Sequence, residues 1–181
     1  PAVKAISFTG SNGVGIRLYE QASRRGAKVQ CEMGGKNPVV ILEDADMDLA
    51  VESTAQGAFG SSGQRCTATS RAVVVDQIDD EFVSRIAKRA GSMRLGLGSD
   101  PQTEMGPSVD EGQFNTVLQY IDIGREDGAT LVCGGSRATG NGLEKGYFVK
   151  PTVFDHVTPD MRVAREEIFG PVLSVLRVKD F

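Results

Sequence analysis

The sequence predicts an α/β fold, a mostly parallel open sheet flanked by helices. Three observations predict it. Strand-like and helical patterns alternate along the whole chain. The apolar runs Pro38-Val39-Val40-Ile41-Leu42 and Val73-Val74-Val75 have the unbroken character of strands buried in a parallel sheet. A glycine-rich turn, Gly10-Ser11-Asn12-Gly13-Val14-Gly15, joins the first strand pattern to the first helical one.

Each element follows from its local pattern. Ala5 to Thr9 alternates as a strand, and Val14, Leu18 and Ala22 then share one helical face. Ala27 to Gln30 begins a short second strand that runs into Cys31-Glu32-Met33-Gly34-Gly35-Lys36. Val39 to Leu42 reads as a buried strand. The acidic run Glu43, Asp44, Asp46, Asp48 opens a helix with Leu49, Ala50, Ala55 and Phe59 on one face, stopped at Gly60. An EF-hand reading of that run fails, because Leu49 stands where the calcium loop needs glycine. The linker Ser61-Ser62-Gly63-Gln64-Arg65 delivers Cys66. Val73 to Val75 is a strand, and Phe82, Val83, Ile86, Ala87 and Ala90 mark a helix. A long loop from about Gly91 to Pro107 precedes a helix through Phe114, Val117, Leu118 and Ile121. Thr130 to Cys133 is a strand and Gly134 to Gly146 a glycine-rich loop. Strands are expected near Phe148-Val149 and Val153-Phe154, and the last from Pro171 to Arg177.

Composition narrows the function classes. The chain has 181 residues, 40% hydrophobic and 24% charged, which is globular composition of about one domain's size. The longest apolar runs are far short of the roughly 20 residues a membrane-spanning helix needs. The net charge is −4 and no basic tract is present, so no nucleic-acid partner is expected. Three scattered cysteines and one histidine, His156, with no CxxC pair, argue against a disulfide framework or a zinc site. A reducing, cytoplasmic setting is expected, and His156 reads as structural. The chain starts Pro1-Ala2-Val3-Lys4, without Met or a leader-like segment, and stops at Phe181 with no turn after the last strand pattern. Both ends are therefore expected to be cut from a longer protein.

Two residues stand out chemically. Cys66 follows Gly63-Gln64-Arg65 and precedes small polar residues. A thiol on such a turn can be exposed where N–H groups cradle a developing anion, and the neighbouring Arg65 favours thiolate. The competing reading is a buried, inert cysteine, which is also the expectation for Cys31 and Cys133. Glu32 precedes Gly34-Gly35, where backbone and ligand can approach closely, so its carboxylate can serve as a general base. A strand-end surface glutamate is the alternative. Together the two suggest a thiol nucleophile with a carboxylate that activates water. The turn from Gly10 to Gly15 can cradle phosphate at a helix N-terminus, though its spacing is not GxGxxG and a plain turn is equally compatible.

These residues resemble a family. Phe8-Thr9-Gly10-Ser11 with Val14-Gly15, then Glu32-Met33-Gly34-Gly35-Lys36, Gly63-Gln64-Arg65-Cys66 and Glu166-Glu167-Ile168-Phe169-Gly170-Pro171 are similar to the NAD(P)-dependent aldehyde dehydrogenase superfamily. The four motifs occur in its order, and 34 positions separate Glu32 from Cys66, as the family leads one to expect. The resemblance implies that Cys66 attacks the aldehyde and passes through a thiohemiacetal and a thioacyl-enzyme. Glu32 then activates the water that releases the acid. It places Gly10, Ser11 and Gly15 at a cofactor's pyrophosphate, Glu167 on the nicotinamide ribose and Phe169 at the nicotinamide end. NAD or NADP is the implied cofactor. It also divides the chain, with 1–31 as the end of a Rossmann-like cofactor domain and 32–181 as an incomplete catalytic domain.

The sequence departs from the family at Gly13, where an acidic or other non-glycine residue is commoner, and at Met33, where leucine is. Family members are far longer. The oxyanion-hole asparagine, the lysine on the adenosine ribose and the β-arm used in oligomerisation fall outside this stretch. A missing oxyanion donor costs about 10²–10³ in rate, so these 181 residues alone are expected to be inactive. The parent protein is expected to be a homodimer or homotetramer. Arg65 borders the aldehyde pocket by the same resemblance, and its guanidinium suits an acidic substrate. The runs Gln30 to Pro38 and Gly63 to Arg71 look most like the 2,5-dioxovalerate (α-ketoglutaric semialdehyde) dehydrogenase branch, with succinic semialdehyde, glyceraldehyde 3-phosphate and betaine aldehyde enzymes as the alternatives. Arg65 as a structural salt-bridge partner is the other reading. The alternatives in function are a CoA-acylating aldehyde dehydrogenase, which Glu32 argues against, and a non-catalytic binding or structural homologue.

Overall fold

The computed structural model describes residues 2–180. The chain divides into two compact units, Pro1–Gly35 and Lys36–Phe181. The division falls after the Gly34-Gly35 pair, so the whole of the Glu32 strand lies in the first unit.

The first unit is a single β–α–β turn of chain. Strand β1 (Ala5–Thr9) leads into helix α1 (Asn12–Ser23), which returns to β2 (Lys28–Glu32), and the two strands pair in parallel from Ala5 against Lys28 to Thr9 against Glu32. Gly15 is buried in α1, and its missing side chain leaves room for Met33 and the Phe8 ring. The Cys31 thiol lies 3.6 Å from the Gly15 carbonyl oxygen. Helix and strands therefore meet at backbone distance.

The second unit carries a five-stranded sheet in the order β3-β4-β7-β6-β5, formed by β3 (Asn37–Ile41), β4 (Thr69–Val75), β5 (Thr130–Cys133), β6 (Thr152–Asp155) and β7 (Val172–Val178). All neighbours are parallel except β5 with β6. Helices α2 (Met47–Phe59) and α3 (Asp79–Ser92) cover one face. Their Ala55, Phe59, Phe82 and Ile86 join Ile41, Val74, Val153, Leu173 and Val175 in one core. Helices α4 (Glu111–Glu126) and α5 (Arg162–Arg165) cover the other, where Phe114, Val117, Ile121 and Val163 meet Phe154, Val172 and Leu176. Along β7, Val172 and Leu176 face one core and Leu173 and Val175 the other, the period-2 signature of a strand buried on both sides. The expected α/β class, with parallel sheets flanked by helices, is what the structure has.

Two local expectations need correction, and one short element was not expected. The Val39–Leu42 run does not form a fully buried strand: β3 lies at the sheet's edge, and Val40 remains 50% exposed on the face away from α2. No strand forms at Phe148-Val149; only one bridging pair, Arg137 with Val149, joins the glycine-rich loop there. The short helix α5 was not read from sequence, being a single turn with too few residues to show a period. The acidic run behaves as expected, with the Asp46 carboxylate accepting the Leu49 N–H at the start of α2.

Candidate active site

In the first unit, both chemically marked segments lie at the carboxyl ends of parallel strands, where open α/β sheets bind ligands. β1 ends at Thr9, and the Gly10 N–H donates to the Glu32 carbonyl at 3.0 Å. Gly10 and Ser11 thus sit beside the end of β2, which carries Glu32. The Glu32 side chain is exposed and accepts a 3.3 Å hydrogen bond from the Gln30 amide. Ser11 is the N-cap of α1 in extended conformation, but its hydroxyl does not cap the helix, and the first turn holds no acidic residue. A Cβ at Gly13 would meet nothing within 4 Å. The helix start is open, uncapped and positive in dipole, which suits a pyrophosphate. Gly15, expected at the cofactor as well, is buried between α1 and the strands and serves their close packing.

In the second unit, Cys66 lies on the connection from α2 to β4. The Ala68 N–H donates to the Arg65 carbonyl at 3.0 Å, so Cys66 is the second residue of a four-residue turn. Its side chain is exposed, whereas Cys31 and Cys133 are partly covered, and all three thiols are free. Burial raises the pKa of the Cys133 thiol above its ordinary value. The inert-cysteine reading thus fits Cys31 and Cys133, and Cys66 alone is presented to solvent. Arg65 is exposed, and among the described residues its guanidinium forms no ion pair.

The approach to Cys66 is strained and tightly held. Ser62 and Gly63 both take positive φ, at 54° and 65°. The Ser62 hydroxyl donates to the Gly106 carbonyl at 2.9 Å. The Gln64 amide donates to the Pro107 carbonyl and accepts from the Val109 N–H. Gly63 abuts the Gly170–Pro171 backbone so closely that a Cβ would collide with the Gly170 carbonyl. The cysteine turn therefore rests on the turn that carries Phe169.

Phe169 also takes a positive φ, 57°, a conformation that aromatic residues rarely adopt. The Gln113 amide, near the start of α4, holds it there by donating to the carbonyls of Ile168 and Phe169, each at 2.9 Å. Ile168 is buried, and the Phe169 ring is 38% exposed rather than part of the core. Glu166, two residues before Ile168, is anchored by Arg162 and by the Tyr120 hydroxyl, and these bonds, Arg162 foremost, lower its pKa to about 2. Glu167, between these anchors, is half-buried. Facing it electrostatically is Lys36. Its ammonium is buried without a hydrogen-bond partner; burial, and then the Arg71 guanidinium, bring its pKa down to about 8, while Glu167 and Glu166 pull the other way.

The supports of the two turns were not legible as functional. Gln64 lies in a motif and Asn37 directly after one, while Gln113 is far from all four, and an amide shows no sequence signal for the carbonyl it will meet. No group of three or more metal-ligating side chains occurs among the described residues, and no helix is long and apolar enough to cross a membrane.

The fold is thus a mostly parallel α/β unit that carries an exposed, free cysteine on a buttressed turn. The comparisons are more specific: the aldehyde dehydrogenase family model matches residues 1–181, and the chain belongs to that family. It is 49% identical over 176 residues to the alpha-ketoglutarate semialdehyde dehydrogenase of Haloferax volcanii, covering 97% of this chain and 36% of that protein. It is 48% identical over 180 residues to human retinaldehyde dehydrogenase 3, covering 99% of this chain and 34% of that one. The crystal structure of betaine aldehyde dehydrogenase from Staphylococcus aureus in complex with NAD+ superposes with a TM-score of 0.95 at 36% identity, over 97% of this chain and 35% of that one. The chain thus spans about a third of the length of the relatives it matches.

Proposed function

We propose that the protein carrying this chain oxidises an aldehyde to a carboxylic acid with NAD or NADP, using Cys66 as nucleophile and Glu32 as the base for the hydrolytic step. The observation that carries this reading is Cys66 itself, the exposed thiol on a turn fixed from both sides. Family membership supports it, as do the names of the relatives.

The Cys66 thiol, exposed to solvent, passes its proton to water; the sulfur then bonds to the aldehyde carbon, and the carbonyl oxygen takes the negative charge. The backbone N–H of Cys66 donates to that oxygen. A bound nicotinamide would supply the hydride acceptor for the same carbon, and Cys66 would then hold the acyl group in thioester linkage. Glu32 then takes a proton from water as it attacks the thioester, the C–S bond breaks, and the acid departs with Cys66 restored as thiolate. Gly10 and Ser11 at the open start of α1 would hold the pyrophosphate of a bound cofactor, Glu167 would hold its nicotinamide ribose, and Phe169 would contact its nicotinamide end.

For the substrate we favour a short acidic semialdehyde such as 2,5-dioxovalerate. The exposed guanidinium of Arg65, next to Cys66 and without an ion pair among the described residues, supports this, because it offers a bidentate partner for a carboxylate. Identity alone does not separate the substrates, since the semialdehyde and retinaldehyde relatives stand at 49% and 48%.

The test is kinetic, in the full-length protein. Cys66→Ser is expected to abolish hydride transfer. Glu32→Gln is expected to retain a single burst of reduced cofactor, equal to the enzyme present, and then stall. A Cys66→Ser variant that still turns over ends the proposal, and an unslowed steady state in Glu32→Gln removes the base.

A further inference from the structure

Asn37 is the first residue of β3, and its amide turns towards the cysteine loop. Its Nδ2 donates to the Cys66 carbonyl at 2.7 Å and to the Ala68 carbonyl at 3.1 Å, using both of its N–H groups. These carbonyls flank Thr67, within and at the end of the turn closed by Ala68 N–H to Arg65. The donor is itself held firmly. Asn37 pairs with Thr69 at the head of the sheet, and the register then jumps so that Pro38 pairs with Arg71. This bulge leaves Ser70 unpaired in the ladder, and its hydroxyl donates to the Asn37 carbonyl at 3.3 Å. Pro38 restricts Asn37 to extended backbone, its conformation in the strand. Bulges of this kind re-aim residues beside functional sites.

We propose that Asn37 is a positioning residue for Cys66: its amide clamps the two peptide carbonyls on either side of Thr67 and so sets the direction of the nucleophile's side chain. The inference rests on the reading of Cys66 as nucleophile. Both bonds go to backbone and neither to the thiol, so Asn37 acts through the orientation of the Cys66 peptide plane. Freed of the clamp, the Cys66–Thr67 and Ala68–Thr69 peptides can rotate, and Sγ leaves its line of attack. Asp in place of Asn keeps the shape but points a carboxylate at two carbonyl oxygens, so Asn37→Asp replaces both attractions by repulsion. Ser keeps one donor on a shorter arm.

The experiment compares Asn37→Asp and Asn37→Ser with the parent in the full-length protein, using Cys66→Ser as the reference for lost nucleophile. The readouts are the single-turnover rate of hydride transfer, the KM for the cofactor, the rate of Cys66 alkylation by iodoacetamide and the thermal midpoint. A displacement of roughly 1 Å at a reacting group costs about 10²-fold in rate. Asn37→Asp is expected to lose about that much in single-turnover rate, with cofactor KM within about twofold of the parent, and Asn37→Ser to fall between them. Alkylation is expected to slow in the same order. If Asn37→Asp does not fold, Asn37→Ser carries the test by the same split between rate and KM. Either soluble variant reacting at the parental rate overturns the clamp. So does a loss of rate matched by equal losses in cofactor binding and thermal midpoint, which marks a merely structural residue. If Cys66→Ser remains active, the reading of the nucleophile fails instead, and the results are told apart by that reference.

Discussion

Replacing Gly63 by Ala is the sharpest single perturbation of the site. Gly63 has φ of 65°, so an L side chain there costs about 1–2 kcal/mol before any contact is considered. The added Cβ collides with the Gly170 carbonyl and would lie 3.0 Å from the Pro171 nitrogen. These are backbone atoms beside a strand buried on both faces, not the mobile end of a side chain, so the neighbour cannot swing aside. Overpacking of that kind costs typically 1–3 kcal/mol. Strain and collision together come to about 2–5 kcal/mol of lost stability in Gly63→Ala. The relief available is to part the cysteine turn from the Phe169 turn by roughly 1 Å, and a shift of that size at the reacting atoms costs about 10²-fold in kcat. The assays are denaturant unfolding and single-turnover hydride transfer in the full-length protein. Gly91→Ala, in the exposed last turn of α3 where a Cβ meets nothing within 4 Å, is the control. It is expected to gain about 0.5–1 kcal/mol and leave turnover alone. A Gly63→Ala protein with parental stability and rate refutes the abutment of the two turns.

Two further outcomes follow from charge. Arg65→Ala is expected to raise KM about tenfold for acidic aldehydes and leave neutral ones near parental, the worth of one charge-assisted hydrogen bond; equal losses for both classes remove Arg65 from substrate recognition. Lys36 has a folded-state pKa of about 8 against 10.5 for an ordinary lysine, so the folded protein releases this proton before the unfolded chain does. Its burden on stability is complete below pH 8 and is relieved as the pH rises towards 10.5, being on the order of 3 kcal/mol at its largest. Lys36→Met is expected to be more stable than the parent at pH 7, with the gap closing across that window in denaturant titrations; a gap independent of pH shows that Lys36 is not the buried charge responsible.

The reach of the sequence differed between elements for identifiable reasons. Ala5–Thr9 and the helix through Phe82 and Ile86 were legible because their apolar period reports which face is covered, and the run to Arg177 because it is nearly unbroken in apolar residues, as a strand buried on both faces is. The α/β class followed from their alternation, and the four motifs with their spacing sufficed to recognise the aldehyde dehydrogenase family. The acidic start of α2 was read correctly because a cap is local chemistry between Asp46 and Leu49. The edge position of β3 was not legible, since an apolar run looks the same whether one neighbour or two will flank it. Nor was the positive φ of Phe169, an aromatic residue forced into place by Gln113 from 56 positions away.

What the residues alone singled out was the pair of candidate reacting groups, a thiol at Cys66 and a carboxylate at Glu32, each beside a glycine break. What only tertiary structure decided was how the cysteine turn is held. Gly63 against Gly170, Gln64 on the segment after Gly106, and Asn37 on the carbonyls of Cys66 and Ala68 all join residues distant in the chain. The physical reason is that reactivity is a property of a side chain and its immediate neighbours. Direction comes from backbone hydrogen bonds and contacts whose partners are chosen only when the sheet assembles.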